Sequence, residues 1–152
     1  MPESIVIVAA RRTPIGGFQG IFSPVSATQL GSFAAAAALA DSGLSPDAID
    51  EVIFGCVLPA GLGQAPARQA AVGAGIAMSV PATTVNKMCG SGMKAVMLAA
   101  DQIRAGSARA ILAGGLESMT NAPYLMLKAR AGYRMGHAEI YDHMFYDGLQ
   151  KQ

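Results

Sequence analysis

No tryptophan occurs in this chain, and only two cysteines do, Cys56 and Cys89. Two cysteines without ligand-like spacing exclude a disulfide framework and a structural metal site, so a reduced, cytoplasmic setting is expected. Charge is equally scarce. Charged residues make up 14% of the chain and the formal net charge is +1. No run of Lys and Arg interleaved with aromatic residues appears, which argues against nucleic acid as a partner. Long hydrophobic runs are missing too. The longest apolar helical stretch, Phe33 to Ala40, falls far short of a membrane span. The opening Met1-Pro2-Glu3-Ser4 has no basic region, and Ile5 to Ala10 is too short for a signal-peptide core. Neither targeting nor membrane attachment is expected.

What is present is apolar. Hydrophobic residues account for 52% of 152 positions, too many for a disordered segment and enough for a domain-sized core. Short apolar runs alternate with longer helical patterns. Ile5 to Val8 reads as a first strand. Ser26 stands three residues before Gln29, a capping-box spacing, ahead of an Ala-rich helix that Asp41-Ser42-Gly43 stops. Glu51 to Val57 reads as a second strand holding Cys56, and Pro66 to Gly75 as a short helix. Thr83 to Met88 reads as a third strand running straight into Cys89. In the helix that follows, Met93, Val96, Met97, Ala100 and Ile103 recur at helical spacing and are expected to share a buried face. Ala110 to Ala113 reads as a fourth strand. Apolar strands joined by helical crossovers imply an α/β fold, a mostly parallel sheet with helices on both faces and right-handed connections. From Met119 to Gln152 no strand pattern is visible, and a separate region is expected to open there.

Cys89 stands out as a candidate nucleophile. It sits where a strand gives way to a helix, followed by Gly90-Ser91-Gly92. A thiol at a helix N-terminus faces free N–H groups and the positive end of the dipole, which favour the reactive thiolate. The glycines let a substrate approach the sulfur closely. The carboxyl end of a strand is also where open α/β sheets bind ligands. Cys56, inside an apolar strand with no helix after it, reads as a small core residue. Asn86, Gly90, Ser91 and Gly92 are candidate supporting positions. For Asn86 and Ser91, contacts to the sulfur and a role in satisfying the turn backbone are both open. Gly90-Ser91-Gly92 does not complete a dinucleotide fingerprint, because Ala95 stands at the third glycine position. A G-x-S-x-G elbow is also absent.

The segment Val85-Asn86-Lys87-Met88-Cys89-Gly90-Ser91-Gly92-Met93-Lys94-Ala95 closely resembles the nucleophile motif of the thiolases, the acetyl-CoA C-acyltransferases. Ala10 to Gly16, Gly63 to Ala70 and Gly114 to Tyr124 resemble three more segments of that family, in the same order. The resemblance implies the N-terminal half of a thiolase-like fold. Residues 1–118 would form the α/β domain without its last strand, and residues 119–152 the beginning of an inserted loop domain. It implies Cys89 as the residue that takes up an acyl group from acyl-CoA and passes it on, with coenzyme A present only as part of the substrates and neither metal nor other cofactor needed. It also implies a homo-oligomer or association with a thiolase subunit, with residues near Thr84 to Met88 as contact candidates. The family's activating His, in a Gly-His-Pro segment, and its second Cys have no match between Met1 and Gln152. His137 and His143 are therefore left unassigned, and Glu117 is given a turn or packing role. Two readings follow: the acyl-transferring N-terminal part of such an enzyme, inactive alone, or an inactive piece that associates with an intact thiolase or a complementary chain. A ketoacyl synthase is the lesser enzyme alternative, disfavoured by the motif from Asn86 to Ala95.

Overall fold

Local capping signals set the first helix. In the computed structural model, which describes residues 4–150, α1 spans Ala27–Ser42. The Ser26 hydroxyl accepts from the Gln29 N–H at 3.2 Å, and the Gln29 side-chain oxygen accepts from the Ser26 N–H at 2.9 Å. Gly43, at φ 68°, closes the helix in the left-handed region that glycine enters without strain. The next elements are β1 (Glu51–Gly55), α2 (Pro66–Gly73), β2 (Ala82–Val85), α3 (Ser91–Arg104) and β3 (Ile111–Gly115). α2 carries Pro66 in its first turn, where no N–H is needed.

The sheet is parallel, in the order β2-β1-β3. Side chains alternate across β1, as the period of a strand requires. Val52 and Phe54, with Cys56 just beyond, pack on one face with Ala27, Ala35, Leu39, Ala67 and Ala70 of α1 and α2. Ile53 packs on the other face with Ala95 and Ala99 of α3. The chain crosses from β1 to β2 over one face and returns past β1 to β3 over the other. Both crossovers therefore have the same hand. The expected α/β architecture with helices on both faces is present.

Several readings of the sequence need correction. Ile5 to Val8 forms no strand among the described residues, and Val6, Ile7 and Val8 are exposed. An apolar β-branched run becomes a strand only where a neighbour supplies ladder partners, and no described strand runs beside it. Second, β2 stops at Val85, so Asn86 to Met88 is a turn rather than strand, and β1 likewise ends one residue before Cys56. Third, the apolar stripe of α3 does not face the sheet: Met93, Val96 and Met97 are 74%, 43% and 53% exposed. Ser91, Ala95 and Ala99 are buried instead. The closest positions are small because α3 starts directly on the backbone of β1 and β3, with Leu98 reaching the sheet further along. Fourth, the region after Met119 does contain strands, a two-residue antiparallel pair β4 (Tyr124–Leu125) and β5 (Tyr141–Asp142), followed by a π-helical stretch over Met144–Leu149. α2 also ends earlier than expected, at Gly73.

Asp50 ties the entry of β1 to that of β3. Its carboxylate accepts from the N–H groups of Arg109 at 2.7 Å and Ala110 at 3.1 Å. Those two donors, Arg109 first, hold the Asp50 carboxyl below its ordinary value of 3.8. A depressed folded-state value stabilises the fold above the unfolded value, and that contribution is lost as pH falls through the folded one. Asp50→Asn is thus expected to lower the urea midpoint at neutral pH, with the gap closing in acid as the wild-type carboxylate protonates. An equal gap at both pH values would refute the linkage.

Candidate functional site

The residues between β2 and α3 form a tight turn whose conformation is set by three side-chain contacts. The Asn86 side-chain oxygen accepts from the Met88 N–H at 2.9 Å. The Ser91 hydroxyl accepts from the Lys87 N–H at 2.9 Å and donates to the Met88 carbonyl at 2.6 Å. These bonds hold Met88 at φ 48°, a left-handed conformation that a bulky residue rarely adopts. Strain of this kind costs about 1–3 kcal/mol and persists only where the surroundings impose it. Cys89 follows, exposed to solvent, and Gly90 caps α3 without a side-chain bond of its own. The thiol thus stands just ahead of the first turn of α3, at the positive end of its dipole.

Cys89 opens onto a cleft of about 260 Å³ at the carboxyl end of the sheet, with Gly55, Val57, Met88, Gly115 and Glu117 among its walls. Glycines make this corner possible. A Cβ on Gly55 would lie 2.5 Å from the carbonyl carbon of Ser91 and 2.6 Å from its Cβ. A Cβ on Gly115 would lie 3.3 Å from the Gly55 carbonyl oxygen and 3.4 Å from the Gly92 Cα. The end of β1, the end of β3 and the start of α3 meet backbone to backbone.

Glu117 closes the far side. One carboxylate oxygen accepts from the Val57 N–H at 2.8 Å, the other from the Leu58 N–H at 3.0 Å and from the Cys56 thiol at 3.6 Å. Burial, and then the Glu117 charge, push the Cys56 thiol up to about 12. Cys56 therefore stays protonated and unreactive at neutral pH, in keeping with its reading as a core residue.

Of the supporting positions read from the sequence, Asn86 and Ser91 bond the turn backbone. Among the described residues neither hydrogen-bonds the Cys89 sulfur. Gly90 and Gly92 keep the entry to α3 narrow. The two histidines stand apart from the cleft. His143 is 4% exposed, with its Nδ1 2.6 Å from Asp147 and its Nε2 accepting from the Ala60 N–H at 3.4 Å. His137 is exposed on the surface. Sequence reasoning gave Glu117 a turn or packing role and passed over its place on the cleft wall. The available signal was a carboxylate two residues past a strand that ends in paired glycines, at the sheet edge where ligands bind. Among the described residues no group of three or more His, Cys, Asp or Glu is placed to hold a metal ion, and no helix is long and apolar enough to cross a membrane.

Comparison with known proteins adds an independent finding. The family model described as the thiolase N-terminal domain matches residues 5–152. Acetyl-CoA acetyltransferase 2 of Arabidopsis thaliana is 55% identical over 148 residues, covering 97% of this chain and 37% of that protein. Acetyl-CoA acetyltransferase of Pseudomonas aeruginosa is 52% identical over 147 residues, again 97% of this chain and 37% of the relative. The mitochondrial acetyl-CoA acetyltransferase B of Xenopus laevis is 50% identical, with 34% of its length matched. The chain thus spans little more than a third of the length of these relatives.

Proposed function

The chain belongs to the thiolase family, and from that premise we propose that it serves acyl transfer between CoA thioesters, of the acetyl-CoA acetyltransferase type, with Cys89 as the acyl-accepting nucleophile. One observation carries the assignment: an exposed cysteine in a strained turn at a helix N-terminus, facing a glycine-walled cleft at the carboxyl end of a parallel sheet. The Cys89 sulfur attacks the thioester carbonyl carbon, the bond to the CoA sulfur breaks, and the CoA thiolate leaves and takes a proton. An acyl-cysteine remains, from which a second acceptor takes the acyl group. Splitting one difficult step into two is the advantage of nucleophilic catalysis. The Cys89 N–H is the candidate donor to the developing oxyanion. Coenzyme A enters only as part of the substrates, and the reaction needs no metal.

Among the described residues Glu117 is the one other ionisable group that lines the cleft, and backbone N–H groups occupy both its oxygens. No histidine among the described residues lines the cleft to activate the second substrate, and turnover by the 152-residue chain alone is expected to be negligible. The second reading, association with a thiolase subunit, is favoured by β2, which occupies an edge of the sheet with one side unpaired among the described strands.

The test is incubation of the purified chain with acetyl-CoA, followed by peptide mass spectrometry. An acetyl group on Cys89 and none on Cys56 is the expected result. A folded sample that takes up no label would sink the nucleophile assignment for this chain and leave association as the better reading.

A further inference from the structure

Glu117 and Asn86 grip the same peptide group from opposite sides. The plane joining Val57 to Leu58 offers its N–H, on Leu58, to the Glu117 carboxylate at 3.0 Å. Its carbonyl, on Val57, accepts from the Asn86 side-chain amide at 3.4 Å. That leaves the Asn86 oxygen to accept from the Met88 N–H at 2.9 Å, and Met88 is the left-handed residue immediately before Cys89. The Asn86 amide fits this site one way round, since the reverse would set its oxygen against the Val57 carbonyl. A peptide plane is rigid. Hydrogen bonds in series polarise one another, and their members are coupled rather than independent.

We propose that Glu117 is a positioning residue for Cys89, acting through the Val57–Leu58 peptide plane and the Asn86 amide to hold the Met88 turn. The proposal rests on the reading of Cys89 as nucleophile, but its physical core does not: it states that a carboxylate on the β3 exit fixes a turn on the β2 exit that it does not touch. The 3.4 Å link is the longest of the series, and it is the one the variants interrogate.

Amide hydrogen exchange, followed residue by residue by NMR on the labelled chain, tests this directly. In Glu117→Gln an amide N–H₂ replaces one acceptor oxygen and meets a backbone N–H. Exchange at the Met88 amide is expected to rise about 3- to 10-fold, the range set by loss of one hydrogen bond. The buried Ile53 amide in the middle of β1 should stay at its wild-type rate. Asn86→Ala, at an exposed position, should reciprocally speed exchange at Leu58. The double variant should raise Met88 exchange no further than the larger single effect. If Glu117→Gln alters Val57 and Leu58 alone, or raises exchange evenly along β1 and β3, the role is merely structural and the proposal falls. Should that variant fail to fold, an unchanged Leu58 rate in Asn86→Ala overturns it from the other end. Acetyl transfer to Cys89 gives the second readout, expected to slow about 10-fold in Glu117→Gln as for a modestly misplaced nucleophile, with iodoacetamide alkylation of Cys89 unchanged. Absence of acetyl transfer in the wild-type chain would count against the nucleophile reading, and the exchange rates would still decide the positioning role.

Discussion

Cys89→Ala is expected to abolish incorporation of acetyl from acetyl-CoA while leaving the fold intact. Removing the nucleophile of a covalent enzyme costs on the order of 10⁶ in rate, because the remaining groups act only through it. Cys56 cannot substitute, since burial and Glu117 keep its thiol protonated, up to about 12. Stability should scarcely change: Cys89 is exposed, and exposed substitutions away from special features stay within about 0.5 kcal/mol. Cys89→Ser tests the chemistry more finely, because a hydroxyl in the same place keeps the shape but is a far weaker nucleophile at neutral pH. Label at the wild-type rate in either variant, on any residue, would remove Cys89 from the mechanism.

Gly55→Ala should destabilise the fold strongly. The added carbon would fall 2.5–2.6 Å from Ser91 atoms and 2.7 Å from the Gly92 nitrogen, and two of these contacts are backbone that no rotamer change can move. Relief requires the start of α3 to lift from β1. Overpacking of this kind costs about 1–3 kcal/mol, and 2–3 kcal/mol corresponds to a fall in Tm of about 5–10 °C for a chain of this size. Because Cys89 stands at the lifted end, the acylation rate should fall as well. A displacement near 1 Å costs about 10²-fold in a reaction that depends on close alignment. An alanine variant with wild-type Tm and wild-type acylation would show that the corner is looser than its geometry implies.

How far the sequence foretold this arrangement depends on the range of the interactions involved. The cap at Ser26 and Gln29 and the stop at Gly43 are written within a few residues, and both appear in the structure. The sheet strands from Glu51, Ala82 and Ile111 were legible as apolar runs between turn residues. α3 was legible as a helix, yet its periodic face was misplaced. Periodicity reports that Met93, Val96 and Met97 lie together, but not that the sheet beneath takes Ser91, Ala95 and Ala99 instead, with Leu98 beside them. Ile5 to Val8 failed for a similar reason, since a strand is a property of a pair. At the site, the strand-to-helix step and the glycines after Cys89 carried the candidate nucleophile. The left-handed Met88 was not foreseeable from its own side chain, and the contacts of Glu117 lie some sixty residues away, beyond any local pattern.

That separation has a consequence in time. The turn before Cys89 leans on Val57 through a contact spanning 29 residues, and Val57 leans on Glu117 through one spanning 60. Closing loops of such length is cheap in equilibrium terms, since the entropy grows only with the logarithm of length. It does impose an order of events. A nascent chain that has emerged as far as Cys89 holds the candidate nucleophile but not the Glu117 that the proposal assigns to its support. If Glu117 positions the turn as proposed, its full support arrives only once β3 lies beside β1. On that reading, the corner around Cys89 is completed by contacts from three separate stretches of the chain, and the longest-range of them closes it.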